Sequence, residues 1–210
     1  MTKGKFISIE GIEGAGKSTV MQFIRDSLQN ANIDVVWTRE PGGTVLAEDI
    51  RKLVLHSSTP EFVEPETELL MMFAGRAQHL KNIILPALTA GKWVVSDRFI
   101  DASYAYQGGG RNIDENFIRF LDEKIVGSAY PDLTLLLDIS PDQGFARTEM
   151  RGNKKDRIEE ENINFFARVR DAYLSRAKQD SKRIKIIDAS KSIAEVEDQV
   201  GQALQHFIKS

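Results

Sequence analysis

The chain has 210 residues, enough for one substantial core and too few for two ordinary domains. Its 28 Lys and Arg against 31 Asp and Glu give a formal net charge of −3, which excludes a general electrostatic grip on nucleic acid and leaves anion binding to local sites. It has no cysteine, no apolar stretch near the roughly 20 residues of a spanning helix and no signal-peptide pattern, so disulfide and thiolate chemistry are excluded and the expectation is a cytoplasmic protein with no membrane partner.

Lys5–Glu10 reads as a strand buried on both faces, because its apolar residues do not alternate with polar ones. It runs into Gly11-Ile12-Glu13-Gly14-Ala15-Gly16-Lys17-Ser18, a match to G-x-x-x-x-G-K-[ST], followed by an amphipathic helical pattern over Lys17–Asn30. The glycines let backbone N–H groups turn toward phosphate oxygens, and the helix N-terminus adds a positive dipole end. In this motif Lys17 reaches the β- and γ-phosphates and the Ser18 hydroxyl is a ligand for Mg²⁺; with Thr19 these residues form a candidate nucleoside triphosphate site.

The second strand, Asp34–Thr38, leads into Arg39-Glu40-Pro41-Gly42-Gly43, and Arg51 and Arg76 fall on the next two helical patterns, the latter within Glu66–Ala90. The third strand, Trp93–Asp97, ends in Asp97-Arg98. An acid there suits Mg²⁺, held directly or through water, and the guanidinium is a planar fork for phosphate. A helix is expected over Asp114–Val126, a strand over Leu133–Asp138, and another helix from Asp142. Arg147, Arg151, Lys154, Lys155 and Arg157 then cluster around a Gly152-Asn153 break, which reads as a lid over about 147–158. A helix over Asn162–Lys178, a strand over Ile184–Asp188 and a closing helix over Ser192–Ile208 complete the chain. Strand-then-helix order throughout predicts a single three-layer α/β domain with a mainly parallel sheet and ligands at the strands' carboxyl ends.

A phosphate loop does not separate a kinase from a nucleotide switch. The lid and the several arginines near strand ends favour a kinase whose acceptor is itself phosphorylated, because cations over the triphosphate stabilise transferred charge and a closed lid excludes water. No Asn-Lys-x-Asp guanine-reading segment is present, and the net charge argues against a nucleic-acid-binding ATPase. His56, His79 and His206 are scattered and read as surface or interface residues.

Thr38-Arg39-Glu40-Pro41-Gly42-Gly43-Thr44, Asp97-Arg98 and Ala105-Tyr106-Gln107-Gly108-Gly109-Gly110-Arg111 join the phosphate loop in a pattern that resembles the bacterial thymidylate kinases over essentially the whole chain. Pro131–Leu135 and Asp156-Arg157-Ile158-Glu159 extend it. The resemblance implies a nucleoside-monophosphate-kinase fold with a five-stranded parallel sheet, a homodimer, and Mg²⁺-dependent phosphoryl transfer from ATP to dTMP; the alternative is another acceptor such as dUMP. It implies that Phe73 stacks on thymine and Arg76 bonds its carbonyl, although Leu69–Phe73 by itself reads as core. Ser103 and Tyr104 align with base-reading positions, Tyr106 would close the sugar pocket against a 2′-hydroxyl, and Gln107 offers a donor and an acceptor to a base edge. Arg39, Arg51 and Arg98 would hold the acceptor phosphate, with Glu13 facing the sugar 3′-hydroxyl or magnesium waters. The phosphate loop carries no Arg, so the lid supplies the catalytic cation; Arg151 is the first candidate, with Arg147 and Arg157 open beside it. The turn Asp188–Lys191 is the expected neighbour of adenine.

Overall fold

A computed structural model describes residues 4–56, 61–151 and 156–209, with Arg151 described in its backbone only. Five strands form one all-parallel sheet: β1 (Phe6–Glu10), β2 (Val35–Arg39), β3 (Trp93–Asp97), β4 (Leu133–Asp138) and β5 (Ile184–Asp188), in the order β2-β3-β1-β4-β5. Every residue of β1 is buried, which accounts for its unbroken apolar run. Alternate residues serve two cores. Ile7, Ile9 and Val95 pack with α1 (Lys17–Asn30), α8 (Ile163–Gln179) and α9 (Ile193–Lys209) on one face. Phe6 and Val94 pack with α3 (Pro65–His79) and α6 (Glu115–Ile125) on the other. The result is the three-layer α/β arrangement expected from the sequence.

The strand order reverses beside β1, and the crevice at the carboxyl ends of β1 and β3 is where such sheets bind ligands. The β1–β3 register pairs Ile9 with Asp97, so the phosphate loop and the Asp97-Arg98 pair leave the sheet side by side. Helix α2 (Val45–Leu55) opens with Thr44, whose side chain accepts from the Ala47 N–H. It packs against α3 at the crevice's outer wall.

The long helix expected over Glu66–Ala90 is interrupted. After α3 the chain takes a π-helical turn over Leu80–Ile84 and resumes as α4 (Leu85–Thr89). Pro86 lacks the N–H that an α-helix needs, and the widened turn absorbs it. A second π-helical stretch, Tyr104–Gly110, follows the short α5 (Ile100–Ser103) in a region where no element was predicted. Helix α7 (Pro141–Arg151) matches the helix expected near Asp142.

Candidate active site

The phosphate loop wraps the start of α1 with left-handed backbone at Gly14 and Gly16, at φ 77° and 91°. A side chain on Gly14 would strike the Gly144 carbonyl of α7, whereas Gly16 opens on free space. Ile12 and Ala15 are buried beneath the loop, while Ser18 and Thr19 are exposed at its mouth. The Lys17 Nζ donates to the carbonyls of Gly11 and Ile12 at 3.0 Å each. Burial, and then the Arg98 charge, push the Lys17 ammonium down to about 8 against the pull of Glu13, Asp97 and Glu10. On one flank, Gly16, Thr19, Arg147, Ala189, Lys191 and Val196 line a smaller cavity, so the turn after β5 lies beside the loop.

On the other flank a larger cavity is lined by Glu13, Lys17, Ser18, Asp97 and four arginines: Arg39, Arg51, Arg76 and Arg98. Arg98 has left-handed backbone, φ 69°, unusual for a residue with a side chain. Its Nη2 donates to Glu13 Oε1 at 2.6 Å, its Nη1 donates to the Gly11 carbonyl at 2.8 Å, and its guanidinium lies over the Tyr106 ring. The Tyr106 hydroxyl donates to the other Glu13 oxygen at 2.7 Å. Burial pushes the Glu13 carboxyl up, but Arg98, Lys17 and Tyr106 outweigh it and hold the group below the ordinary carboxylate range. Arg39 is half-exposed and pairs with Glu48, and Arg51 donates to the Pro41 carbonyl at 2.9 Å. Burial, together with the charges of Arg39 and Arg98, presses Arg51 below its ordinary value despite Glu48 and Asp156, as expected in a cationic cluster made for an anion.

The Asp97 Oδ1 is buried and, among the described residues, has no hydrogen-bond partner. Asp97 and Ser18 line the same cavity, and a carboxylate with a hydroxyl is the hard-oxygen donor set that suits Mg²⁺. Among the described residues no group of three or more His, Cys, Asp or Glu could hold a metal, so an ion here would draw its remaining ligands from phosphate and water.

The wall expected to meet the base differs from the expectation at two positions. Phe73 does not reach the cavity; it is 1% exposed, in the core with Phe6 and Phe99, and its ring supports the Arg76 guanidinium at 4.8 Å. Met72 lines the cavity instead, because it sits four residues before Arg76 on the same face of α3, while Phe73 shares the core face with Leu69. Tyr104 also turns away. Its hydroxyl donates to Asp122 at 2.8 Å and the Arg176 guanidinium covers its ring at 3.9 Å. Ser103 and Gln107 do line the cavity, and Ser103 Oγ accepts from Arg76 Nη1 at 2.9 Å.

Two buried acids, Glu40 on the cavity wall and Glu68 behind it, carried no role in the sequence reading. Glu40 accepts from Arg76 Nε at 2.7 Å and meets His79 Nδ1 at 2.9 Å. His79 is thus fully buried, contrary to the surface or interface placement expected for it, because Glu40 and Thr38 satisfy both ring nitrogens. Glu68 is 0% exposed and binds Gln107, Arg111 and Arg157. The Arg-Glu-Pro-Gly-Gly segment marks Glu40 in sequence, but nothing marks Glu68.

Two of the lid candidates are engaged by other protein groups. Arg147 Nη1 donates to the Ala189 carbonyl at 3.0 Å, in the turn after β5. Arg157 Nε donates to the Val54 carbonyl at 2.9 Å and its Nη2 to Glu68 at 2.5 Å, tying this segment to α2 and α3. The Arg151 side chain and residues 152–155, including Lys154 and Lys155, lie outside the described residues.

The family model described as thymidylate kinase matches residues 9–200. A thymidylate kinase of Vesicomyosocius okutanii subsp. Calyptogena okutanii is 51% identical over 98% of this chain and 99% of its own, and that of Chromohalobacter salexigens is 48% identical over 100% and 99%. A solved thymidylate kinase from Ehrlichia chaffeensis superposes with a TM-score of 0.77 at 34% identity, covering 97% of this chain and 99% of that one. By its phosphate loop, its ring of arginines and its whole-length similarity, the chain belongs to the thymidylate kinase family.

Proposed function

We infer that the chain transfers the γ-phosphoryl group of ATP to dTMP, giving ADP and dTDP. The observation that carries this reading is the ring of Arg39, Arg51, Arg76 and Arg98 on a cavity continuous with Lys17 and Ser18. Four guanidiniums beside a triphosphate loop suit an acceptor that is itself an anion.

The acceptor nucleophile is a phosphate oxygen of dTMP, already anionic, so no strong general base is needed. It attacks the γ-phosphorus, the bond from that phosphorus to the β,γ-bridging oxygen breaks, and ADP leaves with the electron pair. Lys17 binds the transferred group, and Arg98, set by Glu13 and Tyr106, aligns the acceptor phosphate. Arg39 and Arg51 hold its outer oxygens. Positioning and charge neutralisation supply the catalysis. Ser18 and Asp97 would hold Mg²⁺, which neutralises charge on the donor phosphates when bound. Arg151 is the lid cation in this reading: Arg147 and Arg157 are engaged elsewhere, and Arg151 lies one turn beyond the cavity-lining Thr148 on α7.

The thymine ring lies against Met72, whose polarisable thioether suits an aromatic face, with Arg76, Ser103 and Gln107 at its edge. Tyr106, held by Glu13, stands where a ribose 2′-hydroxyl would fall. We read the chain as one domain with a lid at about 147–158, acting in the cytoplasm as a homodimer. Among the described residues no helix is long and apolar enough to cross a membrane. Support for the dimer comes from large apolar side chains left exposed on neighbouring helices: Leu46 and Leu53 on α2, Leu70 on α3, and Phe120 on α6.

Coupled ADP formation with Mg-ATP and a panel of nucleoside monophosphates tests the reading. It predicts turnover that depends on dTMP, weaker with dUMP. Preference for AMP or dCMP would overturn it.

A further inference from the structure

Gln107 lines the acceptor cavity, yet its amide is not free to present either end. Its Nε2 donates to Glu68 Oε1 at 2.8 Å. An ionised carboxylate only accepts hydrogen bonds, so it dictates which end of the amide faces it. The remaining end, Oε1, accepts no hydrogen bond from any described residue. Glu68 in turn is held by two cations: Arg157 Nη2 donates to Oε2 at 2.5 Å, and Arg111 Nε spans both oxygens, at 3.3 Å from Oε2 and 3.4 Å from Oε1. Burial pushes the Glu68 carboxyl up, but Arg111, Gln107 and Arg157 outweigh it and keep the group below its ordinary value. Glu68, Met72 and Arg76 stand at four-residue spacing along one face of α3, so the acid continues the base wall past Met72.

We propose that Glu68 is a positioning residue for base recognition: by engaging the amide nitrogen of Gln107 it leaves the carbonyl oxygen as the end offered to the acceptor base, where it takes the ring N–H that thymine and uracil carry and cytosine lacks. The inference rests on the dTMP reading above. It adds an element outside the cavity that decides between bases of one size. A free glutamine at this place would turn to suit either base, whereas the arginine-held acid fixes one orientation.

Glu68→Gln is the direct test. Arg157, the nearer cation and the one on Oε2, claims the single oxygen of the new amide, which turns its NH₂ toward Gln107 and forces the Gln107 amide to reverse. Steady-state kinetics with dTMP and dCMP should then show KM for dTMP rising about tenfold or more, as expected for losing a buried hydrogen bond, and the kcat/KM ratio of dTMP to dCMP falling by a similar factor. Arg157→Gln removes a partner of the same acid without reversing Gln107, so it should lower turnover with both acceptors and leave the ratio intact. Glu68→Asp, which keeps the charge, should retain most of the ratio; if Glu68→Gln does not fold, Glu68→Ala carries the test, because it removes the acceptor of the Gln107 amide nitrogen and should lower the ratio as the freed amide turns. Equal losses for dTMP and dCMP in Glu68→Gln, or in Glu68→Ala where it carries the test, would overturn the proposal. An unmutated enzyme without dTMP-dependent turnover would instead overturn the underlying reading.

Discussion

Arg98 and Glu13 meet at the floor of the cavity, Nη2 to Oε1 at 2.6 Å, although one follows β3 and the other sits in the loop after β1. The sheet arranges this meeting: Ile9 is in register with Asp97, and the Arg98 N–H donates to the Ile9 carbonyl at 2.9 Å. The left-handed backbone at Arg98 then aims its side chain back over the phosphate loop.

Arg98→Ala should therefore depress kcat by about 10²–10³, the loss typical of removing a preorganised donor to transition-state charge. Arg98→Lys should recover little, because an ammonium cannot bridge Glu13, the Gly11 carbonyl and a phosphate with a planar fork. Measuring kcat and the KM values for ATP and dTMP separately checks this; a lysine variant near full turnover would contradict it.

Met72 and Phe73 separate platform from core. Phe73→Ala should lower stability by about 3–5 kcal/mol, the usual result of truncating a buried ring. Met72→Ala should leave the melting temperature nearly unchanged and raise KM for dTMP about five- to tenfold, from the lost sulfur–ring contact. Thermal melts beside steady-state kinetics decide the matter, and the reverse pattern would restore Phe73 to the base.

Glu10 gives a pH signature. Burial, and then the Asp101 charge, raise its carboxyl from 4.5 to about 8, against Arg98, Tyr173 and the Phe99 N–H. Between those values the native chain keeps a proton that the unfolded chain has lost, so stability falls as pH rises through this window. The Glu10→Gln variant lacks this loss, because its amide oxygen can accept from Phe99 and its NH₂ can donate to Tyr173. Its melting temperature relative to the unmutated protein should climb from pH 5 to pH 9. A difference that stays flat across that range would contradict the assignment.

Lys17 should report triphosphate binding through protons. Its ammonium, pushed down to about 8 in the free loop, regains its ordinary affinity for a proton once phosphate charge surrounds it. Calorimetric titration of ATP at pH 8.5 in buffers of different ionisation enthalpy should show net proton uptake, fading toward pH 6.5. No uptake at pH 8.5 would count against Lys17 as the phosphate cation.

Contiguous motifs made much of this site legible in the sequence. The phosphate loop, Asp97-Arg98 and the strand-end arginines sit where buried parallel strands end, and a parallel sheet gathers those ends. The choice between Met72 and Phe73 was not legible, because the apolar run Leu69–Phe73 has no polar residue to mark which side faces the cavity. Tyr104 was misplaced for a related reason: it begins a π-helical stretch whose turn differs from the α-helical one. His79 and Glu68 were out of reach altogether. A buried histidine or glutamate looks like a surface one until its partners are known, and theirs come from segments 39 and 89 residues away.

The most direct test of the account follows the phosphoryl group itself. ATP labelled at the γ-phosphate, incubated with Mg²⁺ and dTMP, should yield labelled dTDP in equal amount to ADP, with little inorganic phosphate. Label released as inorganic phosphate at the same rate with or without dTMP would contradict it.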